Sequence, residues 1–184
     1  MRVIGGKFRG KNLKAPKGLG TRPTTDRVRE NVFNIIENRK QLGGLRVLDL
    51  FAGSGALGIE AISRGAGFCL FVEENTNARA TIRQNVEGFG LTGQTKVFRR
   101  DAIKMGSIGT MIPFDLVFAD PPYGMAYGQK AARSLVEGQW LVDNAMFILE
   151  EKKSEMPENI EKFSTIDTRV YGDTAIGIFE YGNL

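Results

Sequence analysis

The chain has 184 residues, 42% hydrophobic and 25% charged, with a net charge of +4. That suits one globular domain with its own core, and the apolar runs are too short for a membrane span. A single cysteine, Cys69, excludes an internal disulfide, and the lack of any histidine excludes His triads, His–metal sites and a His general base.

The charge is unevenly spread. Residues 1–46 hold 12 Lys/Arg against 3 Asp/Glu, whereas residues 47–184 hold 13 against 18. The first 22 residues carry seven cations, Arg2, Lys7, Arg9, Lys11, Lys14, Lys17 and Arg22, and no acid. A basic arm on a slightly acidic body points to a polyanion partner, nucleic acid first, and these seven are the candidate contacts. The arm has no apolar secretion core, so a cytoplasmic location is expected.

Residues 1–22 read as a basic N-terminal extension able to form a small hairpin, and residues 23–184 as the main domain. Thr24, Thr25 or Asp26 can cap a helix after Pro23. Val28, Val32, Phe33, Ile35 and Ile36 form its apolar stripe, with Arg27, Arg29 and Glu30 off it and a stop near Gly43-Gly44. Leu45–Phe51 reads as a buried strand running into Ala52-Gly53-Ser54-Gly55. A helix with Leu57, Ala61 and Ile62 inward follows. Strands are predicted over Phe68–Glu73, Lys96–Arg100, Asp115–Ala119 and Met146–Glu150. Helices are predicted from about Asn75, with Ala78, Ile82, Val86 and Phe89 on one face, and around Lys130–Glu137. Ser164–Tyr171 and Thr174–Tyr181 flank Gly172-Asp173 as an antiparallel hairpin. The expected fold is α/β: a mostly parallel seven-stranded sheet, helices on both faces, closed by that hairpin.

Ligands of such sheets bind at the carboxyl ends of the strands. Asp49, Glu73, Asp101 and Asp120 all fall there. Gly53, Gly55 and Gly58 fit the dinucleotide pattern G-x-G-x-x-G, which alone does not choose a cofactor. Asp49 just before it suits an ammonium and opposes a pyrophosphate, tilting the reading from a nicotinamide dinucleotide to S-adenosylmethionine. Glu73, 20 residues after Gly53, sits at the spacing for accepting ribose hydroxyls. Asp101 could accept from an adenine amine, with Ala102 supplying backbone contact. In Asp120-Pro121-Pro122-Tyr123 two prolines remove two donors and stiffen the chain, leaving a ring of acceptors for a flat amine and a Tyr123 face for stacking a base.

Four blocks, Arg2-Val3-Ile4-Gly5-Gly6-Lys7-Phe8-Arg9-Gly10, Arg22 to Glu30, Asp49 to Gly55 and Asp120 to Tyr123, together resemble the RsmD family. These are Rossmann-like class I methyltransferases acting on a guanine N2 of 16S ribosomal RNA. The resemblance implies that Asp49, Phe51, Ala52, Gly53 and Gly55 hold the methionine end of S-adenosylmethionine, with Thr24, Thr25 and Arg27 over it. It implies Glu73 on the ribose and Asp101 with Ala102 at the adenine. Asp120 and the Pro121 carbonyl would grip the guanine amine, with Pro122 stiffening the loop and Tyr123 stacking. It further implies 16S rRNA, free or within the 30S subunit or an assembly intermediate, as partner; nothing in the sequence suggests an obligate oligomer, so a monomer is expected. The rivals are adenine-N6 transfer on RNA or DNA, protein-glutamine methylation, a nicotinamide-dependent oxidoreductase, and a non-catalytic RNA-binding protein.

Overall fold

The computed structural model describes residues 1–16 and 26–182, and the chain divides into two compact units, Met1–Arg99 and Arg100–Leu184. The first unit contains β1 (Arg46–Leu50), β2 (Phe68–Val72) and β3 (Thr95–Phe98), with β2 parallel to both neighbours. Val47, Leu48 and Leu50 of β1 and Cys69 to Val72 of β2 are buried. Strands covered on both faces need such unbroken apolar runs, which is why β1 and β2 lack alternation.

Its α-helices, among the described residues, are α1 (Asp26–Glu37), α2 (Ala56–Ser63) and α3 (Thr76–Gly88). Asn75 starts α3 by accepting the Asn77 and Ala78 N–H groups at 2.9 and 3.0 Å. Ala78, Ile82 and Val86 then face the core, while Phe89 is only half-buried and meets Phe8 edge-on. In α2 Ile59 rather than Leu57 points fully inward, and Leu57 is half-buried. The first helix ends at Glu37, ahead of the Gly43-Gly44 stop read from the sequence. It also buries Arg29, 1% exposed, which the stripe had placed outside. Arg29 is tolerated there because it bonds to the Arg2 carbonyl at 2.6 Å and to Asp26 at 3.0 Å.

The N-terminal residues form the expected hairpin. Val3 N–H donates to Lys11 O, Gly10 N–H to Val3 O and Leu13 N–H to Met1 O, each at 2.9 Å. It buries Val3, Phe8 and Leu13. The buried Glu60 carboxylate of α2 accepts the Ile4 and Gly5 N–H groups at 2.8 and 2.7 Å. Phe8 N–H donates to Ser63 Oγ at 2.9 Å, and Asn85 of α3 pairs with both backbone groups of Lys14, at 2.9 and 3.0 Å. The extension is thereby sewn to α2 and α3.

The second unit contains β4 (Phe114–Ala119), α4 (Tyr127–Glu137), β5 (Leu141–Lys152), β6 (Phe163–Tyr171) and β7 (Thr174–Tyr181). β4 and β5 are parallel, and β5–β7 and β7–β6 are antiparallel. β5 begins five residues before the predicted Met146. Asp143-Asn144 looks like a turn, yet the strand carries it as an irregularity between the Phe114 and Leu116 pairings, with Asn144 at φ +60°. The seven strands form one sheet in the order β3-β2-β1-β4-β5-β7-β6. The mostly parallel sheet with its closing antiparallel hairpin is the architecture read from the sequence.

Candidate active site

In the first unit, β1 ends at Leu50 and the chain turns at once. Phe51, Gly53 and Gly55 have φ of +54°, +56° and +78°. A phenylalanine there carries strain of order 1–3 kcal/mol, which a functional turn commonly holds. Two bonds close the turn: Gly55 N–H to Ala52 O at 2.7 Å, and Ala52 N–H to Val72 O at 3.2 Å. A Cβ on Gly58 would collide with the Phe71 ring and Cys69 Sγ of β2, so this third glycine lets α2 lie against the sheet.

Asp49 and Glu73 serve this turn from neighbouring strands. Asp49 is 2% exposed and accepts Gly58 N–H of α2 at 3.0 Å. Burial lifts its carboxyl pKa to about 8, a rise the Gly58 bond opposes and the Glu73 charge reinforces. Glu73 accepts Gly53 N–H at 2.9 Å through Oε2 and Asn75 N–H at 2.8 Å through Oε1. It braces the turn and keeps lone pairs for a hydroxyl, since each carboxylate oxygen accepts more than one bond. The buried Arg79 holds the backbone behind it, donating to the carbonyls of Glu73 and Glu74 and to Thr76 Oγ1. A buried carboxyl carrying one hydrogen bond, beside a glycine turn and a helix start, is a chemical fit for the ammonium of an amino-acid-bearing cofactor.

In the second unit, Asp101 forms a local turn, accepting Ile103 N–H at 3.0 Å, and Ala102 is buried beside it. The Asp120 to Tyr123 loop follows β4 directly. Asp120 is half-buried, Pro121 buried, Pro122 exposed, and the Tyr123 ring is 45% exposed. The Tyr123 hydroxyl lies 3.4 Å from Glu150 Oε1 and 3.3 Å from Thr174 Oγ1, and Gly124 N–H donates to Glu155 Oε2 at 2.6 Å. Burial, more than the nearby Glu150 and Asp120 charges, raises the Tyr123 phenol above its ordinary pKa, so it stays protonated near neutrality. The loop is therefore pinned on one side and keeps an open aromatic face.

Of the basic candidates, Arg2, Lys7, Arg9, Lys11 and Lys14 are exposed on the hairpin. Lys17, Arg22, Thr24 and Thr25 lie outside the described residues, while Arg27 is exposed on the first turn of α1. Sequence reasoning missed Glu60, Ser63, Asn85, Arg79 and Glu155. The hairpin anchors bond residues 55 to 71 positions away, so no local spacing marks them. Arg79 does sit one helical turn into α3, where a cation can reach back to the carbonyls of the preceding loop.

The family model described as "Conserved hypothetical protein 95" matches residues 1–180. YlbH of Bacillus subtilis is 38% identical over 184 residues, covering 98% of each chain. Ribosomal RNA small subunit methyltransferase D of Escherichia coli is 34% identical over 184 residues, covering 98% of this chain and 89% of its own. Among solved structures, yhhF from Escherichia coli superposes with a TM-score of 0.84 at 31% identity, over 100% of this chain and 99% of that one.

Proposed function

Because this chain belongs to the RsmD family, we propose that it methylates ribosomal RNA, using S-adenosylmethionine and acting on the exocyclic N2 of a guanine in the 16S molecule. The observation that carries the reading is the acceptor loop Asp120 to Tyr123, stiffened by two prolines and pinned by Glu155, directly after an apolar parallel strand.

The cofactor, when bound, supplies an electrophilic methyl group on a sulfonium. Asp49 and the glycine turn hold its amino-acid end, Glu73 its ribose, and Asp101 with Ala102 its adenine. An aromatic amine is a weak nucleophile because its lone pair is delocalised into the ring. The Asp120 carboxylate and the Pro121 carbonyl accept its two hydrogens, which orients the nitrogen and favours a pyramidal geometry. Pro122 keeps the loop stiff, and Tyr123 offers its ring to the base. Alignment of this kind contributes several powers of ten to rate. After transfer the surplus proton leaves to Asp120 or to water. The target guanine must be unpaired or flipped to reach the loop. The protein works as a monomer in the cytoplasm, on free 16S rRNA or on 30S particles, and residues 1–22 contribute RNA contacts.

Incubation with methyl-labelled S-adenosylmethionine and 16S rRNA, 30S particles or DNA, followed by digestion to nucleosides, tests this. Label is expected in N2-methylguanosine. Label confined to N6-methyladenosine, or none in any nucleic acid, overturns the reading.

A further inference from the structure

The cations of the N-terminal hairpin are used in two different ways. Its lysines lie against protein groups. Lys7 and Lys11 Nζ sit 5.4 and 5.2 Å from the Phe8 ring centre, Lys11 is also 5.9 Å from that of Phe89, and Lys14 donates to Gln84 at 3.4 Å. Its arginines, Arg2 and Arg9, instead line a cleft of about 380 Å³ with Asp26, Arg27 and Glu30 of α1.

Within the cleft the Asp26 charge is already answered. Arg2 Nε approaches Oδ2 at 3.1 Å and Arg29 Nη2 approaches Oδ1 at 3.0 Å. That leaves Arg9 and Arg27, both exposed and neither in an ion pair among the described residues. Two unpaired guanidiniums converge on one concavity, and each presents a planar fork of donors matched to two oxygens of a phosphate. Concave basic surfaces concentrate the field that attracts a polyanion. Glu30, carrying the opposite charge on the same wall, restricts where an anion can settle.

Resting on the RNA substrate proposed above, we infer that this cleft is a discrete seat for one backbone phosphodiester of that RNA, with Arg9 and Arg27 as its donors and Arg2 as a fixed wall. Arg27 is thereby a substrate residue, not a lid over the methionine end of the cofactor. The lysines, held against Phe8, Phe89 and Gln84, add diffuse charge.

The test measures binding of a 16S rRNA transcript between about 50 and 200 mM salt for the intact protein, R9Q, R27Q, the double variant, R27K and a K153Q control. Both arginines are exposed, so melting temperatures should match the parent. The double variant should lose a slope of roughly 0.7–0.9 in log K against log salt, the share of one phosphate. R27K should keep the slope but bind more weakly, because charge survives and the fork does not. R27Q should raise KM for RNA, leave kcat unchanged and leave S-adenosylmethionine affinity, measured by calorimetry, unaltered. An unchanged slope in the double variant, the same loss in K153Q, or weakened cofactor affinity in R27Q overturns the inference. Failure of the intact protein to methylate any RNA overturns the proposed function itself and this seat with it; normal methylation with an unchanged slope overturns the seat alone.

Discussion

Replacing Asp49 with asparagine separates two consequences of burying a carboxyl in an enclosed seat. In the folded protein its pKa is about 8; in the unfolded chain it is near the ordinary ~3.9. Between those values the folded state holds a proton that the unfolded state has lost. Stability from this group is thus complete below about pH 4 and declines as pH rises, by about 1.4 kcal/mol per unit, until about pH 8. Asparagine mimics the protonated form, can still accept from Gly58 N–H, and does not titrate. Raising pH from 5 to 7.5 should therefore favour D49N over the parent by ~3 kcal/mol, or roughly 6–12 °C in relative melting temperature. Cofactor affinity should run the other way. An ammonium stabilises the ionised carboxylate, so the parent releases a proton on binding and gains up to about tenfold in affinity per pH unit below pH 8, whereas D49N binds weakly with a flat profile. Thermal melts at both pH values and calorimetry in two buffers of different ionisation enthalpy read these effects. Parallel melting profiles for D49N and the parent would refute the argument.

Other perturbations probe separate parts of the molecule. D120A should lower kcat by about 10²–10⁴ while S-adenosylmethionine affinity stays within a few-fold; equal loss of both would move the acceptor role elsewhere. G58A forces a methyl against Phe71 and Cys69 and should cost ~1–3 kcal/mol, read by urea unfolding. E60A leaves the Ile4 and Gly5 N–H groups and Arg64 without their buried acceptor, and a loss of ~3–5 kcal/mol is expected. Hydrogen exchange at Ile4 and Gly5 should accelerate well before exchange in β1 or β2, and simultaneous acceleration would mean the hairpin is not a separable element.

The succession of strands and helices along the chain, and the acidic residues at or just beyond the strand ends, were legible because they rest on local pattern. Apolar runs broken by glycine mark β1 and β2, and the Gly172-Asp173 turn marks the closing hairpin to within a residue. Asp49, Glu73 and the Asp120 loop could be read because each follows an apolar run directly. What escaped depends on distant partners. Arg29 reads as a surface cation until Arg2 O and Asp26 are seen to receive it. The length of β5 was hidden because Asp143-Asn144 imitates a turn that the pairing of Leu141 with Phe114 overrides. Glu73 was assigned a ligand from its spacing alone, whereas its carboxylate also accepts the Gly53 and Asn75 amides.

The bonds from Ile4, Gly5 and Phe8 to α2, and from Lys14 to Asn85, have a consequence for synthesis. The hairpin residues leave the ribosome well before the residues that hold them. Glu60 and Ser63 must emerge before Gly5 and Phe8 can dock, and Asn85 must emerge before Lys14 can. Until then Val3, Phe8 and Leu13 have no core to enter. The hairpin acts as a clasp that closes on α2 and α3, and its protection from exchange on nascent chains of increasing length would register the emergence of Glu60, Ser63 and then Asn85.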